Sequence, residues 1–324
     1  MFVPLFAITF LVTLIVIPDW IRKAKKVGLM GKDIHKLSQR PVAEMGGVIT
    51  LLGFIIGILL YIAIRVFFFQ ANTQIASILA ILTGILIAGI IGIIDDILGW
   101  KIGLRQWQKP LLTLLVAAPI MAVNAGTRIM TLPIFGKVNL GILYPLIVIP
   151  AFILVGTNGF NMLAGYNGLE AGLGIIILST LAYFSYITGS AWLAVVAIIM
   201  VVALLAFLVF NHHPAKIFPG DTLTYTVGGL AAMITIFANI EKIFIILFIP
   251  YIIEFFLKLR GGFKKESFAQ VTDKGTLIPR HNKNYGLENM TVRILNKLRI
   301  KTTERKVVYS LYGLELLFVL ITLL

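Results

Sequence analysis

Two adjacent carboxylates, Asp95 and Asp96, directly follow the apolar run 75–94. Acidic side chains at the C-terminal end of a helix repel each other and face the negative end of the helix dipole. The pair therefore needs a cation nearby, either a metal ion or a lysine such as Lys101 or Lys109. Because ionisable groups at membrane depth mark functional sites by default, we predict a functional role for this pair rather than a surface role.

Four further polar clusters separate apolar runs, and they occupy residues 31–47, 157–170, 211–222 and 277–283. In the second cluster, Asn158 and Asn161 would share one face of a helix. In the third, Asp221 could cap the next helix or present a carboxylate to a metal. A basic loop explains most lysines of the first cluster, and a solvated basic loop explains the fourth when it is considered alone.

The clusters together supply carboxylate and amide oxygens, with 0 cysteines and only 4 histidines in the chain. Adjacent histidines such as His212 and His213 point apart on most backbones and do not form a zinc site by themselves. Hard oxygen ligands suit Mg²⁺ or Mn²⁺, and Mg²⁺ takes one or two carboxylates plus substrate phosphates. With lysine and arginine nearby for phosphate oxygens, the inventory matches phosphoryl transfer, which needs mainly positioning and charge neutralisation.

The elements that position these residues must lie in a bilayer. The 324 residues are 59% hydrophobic and 13% charged, whereas soluble domains carry about 25% charged residues. A helix needs about 17–25 residues to cross a bilayer, and backbone in lipid must be hydrogen-bonded internally. We predict one all-α, membrane-embedded domain over residues 1–324 with ten transmembrane helices, at 2–20, 47–69, 75–94, 110–125, 142–157, 168–187, 190–211, 221–239, 241–258 and 307–324.

Lysine and arginine occur almost entirely in alternate loops of this arrangement. Of 28 such residues, 24 lie in the loops 21–46, 95–109, 158–167, 212–220 and 258–306. The positive-inside rule places these loops, and with them the polar clusters, in the cytosol and both termini outside. The net charge of +14 thus reflects membrane topology and does not indicate a nucleic-acid partner. The long loop 258–306 has too little apolar content for its own core, so we expect it to cap the cytosolic surface.

At these motifs the sequence resembles the polyprenyl-phosphate N-acetylhexosamine-1-phosphate transferases over nearly the whole chain. The pattern combines the Asp95-Asp96 pair with TNxxNxLxGxNGLEAG at 157–172 and NHxPxxxFxGDT at 211–222. Within that family it is similar in particular to the archaeal and eukaryotic UDP-N-acetylglucosamine (UDP-GlcNAc)–dolichyl-phosphate GlcNAc-1-phosphotransferases. The long loop has only His281 where bacterial enzymes of the family carry a histidine-rich motif, and it is short of the eukaryotic insert, which favours an archaeal-like enzyme.

The resemblance implies a role for each matching residue. Asn161 and Asp221 would be ligands of Mg²⁺ beside the donor pyrophosphate. Asp95 and Asp96 would be the essential acidic pair near the lipid phosphate, and Lys109 would contact phosphate. The substrate-binding residues are then expected to be Ile34, Lys36, Glu44, Asn158, Asn167, Glu170, Arg280 and His281.

The reaction implied by the resemblance transfers GlcNAc 1-phosphate from UDP-GlcNAc to dolichyl phosphate at the cytosolic face of the cell membrane. UMP leaves, and GlcNAc-diphospho-dolichol forms as the first lipid-linked intermediate of N-glycan assembly. The same reaction with another UDP-N-acetylhexosamine, or with undecaprenyl phosphate for cell-wall glycans, is the alternative. Direct single displacement is the expected route, because the lipid phosphate is already largely dianionic at pH 7, and a covalent aspartyl-phosphate route is the alternative. A homodimer is compatible with the resemblance, although the sequence carries no interface signal.

Two other classes of membrane protein compete with the enzyme. A transporter also places polar residues in broken helices, but near the bilayer midplane and usually with repeat symmetry. In this sequence the polar motifs lie at the ends of segments on one side, with no repeat. A purely structural membrane protein leaves the clustered acids unexplained.

Overall fold

The computed structural model describes residues 2–132 and 136–324, and it is mostly helical. The α-helices are α1 Val3–Val27, α2 Gly46–Ala63, α3 Ile75–Ile102, α4 Gln108–Thr113, α5 Ala118–Ala122, α6 Ile149–Met162, α7 Leu169–Ile187, α8 Ala191–Asn211, α9 Gly220–Ala238, α10 Glu241–Leu247, α11 Ile249–Arg260, α12 Leu287–Lys297 and α13 Glu304–Thr322. Three antiparallel hairpins join β1 Met30–Lys32 to β2 Pro41–Ala43, β3 Ile129–Leu132 to β4 Gly136–Asn139, and β5 Gln270–Val271 to β6 Leu277–Ile278.

Seven helical segments in the described residues are long and apolar enough to cross a membrane. They are Val3–Val27, Gly46–Phe68, Ile75–Gly99, Tyr144–Met162, Leu169–Ile187, Ala191–Asn211 and Gly220–Ala238. This confirms a multi-pass helical membrane protein. The number ten and the orientation of the termini stay predictions.

The other three predicted segments are helical but depart from a plain spanning helix. The segment 110–125 overlaps the shorter apolar stretch Gln108–Ala122 and extends three residues beyond it. The segment 241–258 is divided between α10 and α11 at Phe248, because Pro250 in the first turn of α11 has no N–H to continue the hydrogen-bond ladder. The segment 307–324 lies in α13, which begins with three charged residues, Glu304 to Lys306.

Helix α9 is buried along almost its whole length, and its neighbours approach it closely. A Cβ atom on Gly228 of α9 would lie 2.1 Å from the carbonyl oxygen of Gly156 in α6. A Cβ atom on Gly92 of α3 would lie 2.4 Å from Cα of Thr222 in α9. Small residues at such crossings let the backbones of membrane helices pack directly. Helices α3, α6 and α9 therefore meet where the polar motifs of the sequence lie.

The first hairpin holds the start of α9 from the other side. Met30 pairs with Ala43, and Ala43 also bridges Ile217 in the segment before α9. The backbone N–H groups of Gly46 and Gly47, which begin α2, donate to the carbonyls of Phe218 and Pro219 at 2.8 Å each. The N–H donors at the N-terminus of α2 thus hold the segment that leads into α9.

We expect Gly92→Ala to lower the thermal-unfolding midpoint of the detergent-solubilised protein. The added methyl group would meet backbone atoms of Thr222 at 2.4 Å, and overpacking of this kind costs about 1–3 kcal/mol. The matched control is Gly313→Ala in α13, where a Cβ meets nothing within 4 Å. That change should leave stability unchanged or raise it by about 1 kcal/mol. Equal midpoints for the two variants would contradict the close α3–α9 contact.

Candidate active site

Asp95 and Asp96 lie inside α3. The apolar run 75–94 alone had indicated that they follow the end of this helix. The helix continues to Gly99, where φ is 65°, and the chain then folds back beneath the pair. The backbone N–H of Leu104 in the returning segment donates to Oδ1 of Asp95 at 2.9 Å. A left-handed φ at position 99 favours glycine, so this residue allows the turn that satisfies Asp95.

Lys109 is the cation that pairs with Asp95. Its ammonium contacts the carboxylate of Asp95 and lies 3.0 Å from Oδ2 of Asp221 in α9. The Asp95 side chain is only 5% exposed, whereas those of Lys109 and Asp221 are each 27% exposed. One lysine thus bridges carboxylates from two helices at the edge of a cavity. The side chain of Lys101, the other lysine considered from the sequence, lies outside the described part of the structure.

Asp96 caps the N-terminus of α9. Its Oδ1 accepts the backbone N–H of Asp221 at 2.6 Å, and its Oδ2 accepts the backbone N–H of Thr222 at 3.1 Å and the Thr222 hydroxyl at 2.6 Å. A carboxylate at a helix N-terminus satisfies free N–H groups and matches the positive end of the dipole. Gly220, with φ 72°, leaves room for it, since a Cβ there would lie 2.5 Å from Oδ2.

The cap by Asp96 bears on the position of Asp221. The sequence left open whether Asp221 itself capped α9, but Asp221 is the second residue of this helix, inside its first turn, and Asp96 accepts its backbone N–H. Because Asp96 takes the N–H groups instead, the Asp221 carboxylate points toward Lys109 and the adjoining cavities. The end of α6 faces it: Oδ1 of Asn161 accepts the hydroxyl of Thr224 at 2.9 Å, and this hydroxyl also lies 3.1 Å from the Asp221 carbonyl.

Three adjoining cavities surround these residues. The acidic cavity, about 620 Å³, is lined by Asp95, Asp96, Lys109 and Asp221. The central cavity, about 470 Å³, is lined by Asn161, Asn167, Glu170 and Asp221, and the outer cavity, about 1000 Å³, by Ile34, Lys36 and Arg280. Glu44 and Phe268 line all three. The predicted acids, the predicted metal ligands and six of the eight predicted substrate contacts therefore line these adjoining cavities.

The Asn161 amide oxygen and the Asp221 carboxylate fit a hard divalent cation. Both line the central cavity, and one carboxylate with one amide oxygen leaves the remaining positions of Mg²⁺ or Mn²⁺ to water and substrate phosphates. Among residues 2–132 and 136–324, no group of three His, Cys, Asp or Glu side chains is placed to hold a metal.

A network of buried polar contacts holds the wall of the central cavity. Asn167 donates its backbone N–H to Oε1 of Glu304 at 2.8 Å and its side-chain amide to Oδ2 of Asp33 at 3.1 Å. Lys36 pairs with Asp33 and lies 3.4 Å from Glu304. Glu170 closes the adjacent loop by accepting the N–H of Gly165 at 2.7 Å. These contacts fix the backbone around Asn167 before any substrate binds.

Glu44 and His35 are among the groups that line the cavities with shifted pKa values. Burial, followed by the nearby charge of Asp96, raises the pKa of Glu44. His35 stacks on Tyr166 with ring centroids 4.0 Å apart and meets Phe268 edge-on at 5.6 Å. Burial lowers the pKa of His35 to about 4, so this imidazole, which lines the central cavity, is neutral at pH 7.

Comparison with known proteins connects this geometry to a family. The model of glycosyl transferase family 4 matches residues 78–239, which include the acidic pair, Lys109, Asn161 and Asp221. The chain is 35% identical to a protein of Sulfolobus acidocaldarius, over 96% of this chain and 92% of that protein. It is also 35% identical to a protein of Saccharolobus solfataricus, over 98% and 94% respectively. The chain belongs to glycosyl transferase family 4.

Both of these archaeal relatives are named, provisionally, as UDP-N-acetylglucosamine–dolichyl-phosphate N-acetylglucosaminephosphotransferases. A Streptococcus pneumoniae relative named phospho-N-acetylmuramoyl-pentapeptide-transferase is 34% identical over 79% of this chain and 81% of its own length. The resemblance inferred from the motifs is thereby confirmed. The relatives are thus named for the transfer of different sugar phosphates.

Two of the predicted substrate-binding residues of this family 4 chain lie apart from the three cavities. Asn158 is buried in α6, where its amide donates to the hydroxyl of Thr113 at 2.7 Å and to the carbonyl of Leu154 at 3.1 Å. These contacts join α6 to α4. His281 packs edge-on against Tyr285, and its carbonyl accepts a bond from Arg293 at 2.6 Å. Their roles in substrate binding stay predictions.

Two residues that the sequence motifs did not indicate, Lys258 and Phe268, line the cavities. Lys258 lines the central cavity, lies 3.3 Å from the buried carboxylate of Glu254, and contacts the carbonyl of Met162 at the end of α6. An ionisable Glu254 inside an apolar run was a sequence signal for it, because such a residue needs a partner. Phe268 carried no signal, since only the folded long loop brings it to the cavities.

Proposed function

We propose that this chain transfers GlcNAc 1-phosphate from UDP-GlcNAc to dolichyl phosphate or a related polyprenyl phosphate. UMP would be released and GlcNAc-diphospho-dolichol formed. The observation that carries the proposal is the convergence of Lys109, Asn161 and Asp221 with the acidic pair around adjoining cavities. The names of the two archaeal relatives, which match almost the whole chain, support the donor and the acceptor.

In the membrane, we propose ten crossings, with both termini outside and the three cavities at the cytosolic face. The concentration of lysine and arginine in alternate loops supports this orientation. The loop 258–306 would cap the site, and its residues Phe268 and Arg280 already line the cavities. Arg280 pairs with Glu266 at the rim, from which a donor phosphate could recruit it as a charge-assisted partner.

Asn161 and Asp221 would hold Mg²⁺ or Mn²⁺, which when bound neutralises the pyrophosphate oxygens of the donor. Lys109 would supply a second positive charge beside the acceptor phosphate. Ile34, Glu44 and Asn167 would hold the uridine and neighbouring donor groups. The rigid contacts of Asn167 with Glu304 and Asp33 suit this task, because a preformed polar wall orients a ligand at little entropic cost.

In the proposed reaction, an oxygen of the lipid phosphate attacks the sugar-bearing phosphorus of UDP-GlcNAc. The new P–O bond forms as the bond to the UMP oxygen breaks, and UMP carries away the electron pair. A phosphate monoester has a second pKa of about 6, so the acceptor is largely dianionic at pH 7 and needs no strong base. Because the Asp95 and Asp96 oxygens are engaged with Leu104, Lys109 and α9, direct displacement is favoured over an aspartyl-phosphate.

The proposal is tested by UMP release from the purified protein in detergent, with a panel of UDP-sugars and polyprenyl phosphates. We expect release with UDP-GlcNAc plus dolichyl phosphate, loss with EDTA, and recovery with Mg²⁺ or Mn²⁺. Asp221→Asn should fall to background. Preference for another UDP-N-acetylhexosamine would reassign the sugar within the same reaction. A transporter would release no UMP without a sealed membrane, and absence of release with every donor would exclude the proposal.

The same preparation separates the two routes of displacement. Labelled UMP is incubated with UDP-GlcNAc in the absence of acceptor, and the donor is then analysed for label. Direct displacement predicts no exchange, because no intermediate forms without the lipid phosphate. Exchange that disappears in Asp95→Asn would instead support a covalent intermediate on that residue.

A further inference from the structure

A groove outside the active-site cavities runs along the flank of the molecule between α8 and α13. Its volume is about 630 Å³. The apolar walls are formed by Leu205 and Val209 of α8 and by Val308 and Tyr309 of α13, while His213 and Arg305 close one end. We call it the flank groove.

The apolar walls of the flank groove face the surface of a membrane-spanning helix. Leu205 and Val209 lie one turn apart on α8 and are 43% and 50% exposed. Helix α8 is one of the seven segments that can cross a membrane, so these side chains face hydrocarbon. The His213 end follows the last residue of α8, Asn211, and therefore lies at the level where helices leave the bilayer. A molecule that fills the groove must therefore be apolar along the walls and polar at the His213 end.

The closed end of the groove carries one fixed positive charge. Arg305 directs Nε at Nδ1 of His213 and Nη2 at the His213 carbonyl, both at 3.1 Å. Its Nη1 has no hydrogen-bond partner among the described residues. Burial, followed by Lys36 and Arg305, lowers the pKa of His213, so the imidazole is neutral at pH 7 and the charge is that of the guanidinium. A guanidinium held in place with a free N–H edge is suited to phosphate oxygens.

We propose that the flank groove binds an anionic bilayer phospholipid, with its phosphate on Arg305 and its chains on α8 and α13. A soluble anion could not use the apolar walls, and a neutral lipid could not use the charge. The acceptor polyprenyl phosphate is a different ligand, because Lys109, Asp95 and Asp96 line the acidic cavity and not this groove.

The groove shares one wall with the active site. Asn167 lines both the flank groove and the central cavity. Glu304, the residue before Arg305, accepts the Asn167 N–H at 2.8 Å and lies 3.4 Å from Nε2 of His213. A lipid phosphate at Arg305 would therefore lie beside Glu304, the residue that holds the backbone of Asn167. This consequence rests on the proposed function, whereas lipid binding itself does not.

Lipid binding is measured on the full-length protein in detergent by native mass spectrometry and thermal unfolding. Phosphatidylglycerol, phosphatidylcholine and dolichyl phosphate are titrated separately. We expect phosphatidylglycerol to bind and to raise the unfolding midpoint of the wild type. Arg305→Ala should weaken this binding roughly tenfold or more, since a hydrogen bond to a charged group is lost. The matched control Lys306→Ala removes the same charge from the next residue, which is exposed and does not line the groove, and should bind normally.

A second variant tests the apolar part independently of Arg305. Leu205→Trp fills the groove from its exposed wall and should reduce phosphatidylglycerol binding while the unliganded protein stays folded. Equal binding by the wild type and Arg305→Ala, equal binding of phosphatidylcholine, or a preference for dolichyl phosphate would each overturn the proposal. UMP release by the same samples reports separately on the proposed reaction, so failure of one is distinguishable from failure of the other.

Discussion

Replacing Lys109 with methionine is expected to reduce the kcat/KM of UMP release by about 10²–10³, the usual cost of removing one preorganised charge from a reacting centre. Lys109 contacts Asp95 and lies 3.0 Å from Asp221. Methionine keeps the length of the side chain but leaves the 5% exposed Asp95 without its cation. Because truncating one partner of a buried pair costs about 3–5 kcal/mol and Lys109 is partly exposed, we expect a loss of stability of about 2 kcal/mol.

The two effects of this change can be separated. In the double variant Lys109→Met with Asp95→Asn, the uncompensated charge is gone, so much of the stability should return while activity stays low. Arg105→Met is the matched control, because Arg105 lies four residues before Lys109 with an exposed side chain. Its hydrogen bonds among the described residues, to Gln108 and Lys109, use only its backbone N–H and carbonyl groups. Activity of Lys109→Met within threefold of the Arg105→Met value would refute the role of Lys109.

Asp96→Asn is expected to impair both stability and activity, because Asp96 organises the start of α9. Its two oxygens accept three bonds, from the N–H groups of Asp221 and Thr222 and from the Thr222 hydroxyl. An asparagine amide turns an N–H₂ group toward one set of donors, and an unsatisfied buried group costs about 1–3 kcal/mol. Displacement of Asp221 by about 1 Å should lower kcat/KM by about 10². Thermal unfolding and UMP release measure the two effects.

Thr222→Val gives an intermediate test of the same contact. It removes only the hydroxyl donor and leaves both backbone N–H groups on Asp96, so its losses should be clearly smaller than those of Asp96→Asn. The resemblance to known transferases instead placed Asp96 beside the lipid phosphate. If Asp96→Asn lost activity with an unchanged unfolding midpoint, that direct role would be supported and the capping role rejected.

The sequence predicted the segments that form the site better than the contacts within it. The helix bearing Asn158 and Asn161 and the basic loops around the site followed from apolar run lengths and polar spacing, which are local properties. The break between α10 and α11 was not predicted, although Pro250 marked it, because the apolar pattern continues across the proline. The continuation of α3 past Asp96 was also missed, since it depends on the fold-back at Gly99 and the bond from Leu104 to Asp95.

By itself, the sequence determined that this is a multi-pass membrane protein whose polar motifs offer oxygen ligands and cations for phosphates. Composition and spacing along the chain are enough for that, because the cost of burying polar groups in lipid restricts where they occur. Only the tertiary structure decided that Asp96 caps α9 while the Asp221 carboxylate pairs with Lys109. Asp96 can cap α9 because α3 and α9 cross closely at Gly92 and Gly220. The Asp221 carboxylate is therefore not needed as the cap. Contacts between residues so distant in sequence depend on how the helices pack, and no local pattern records that.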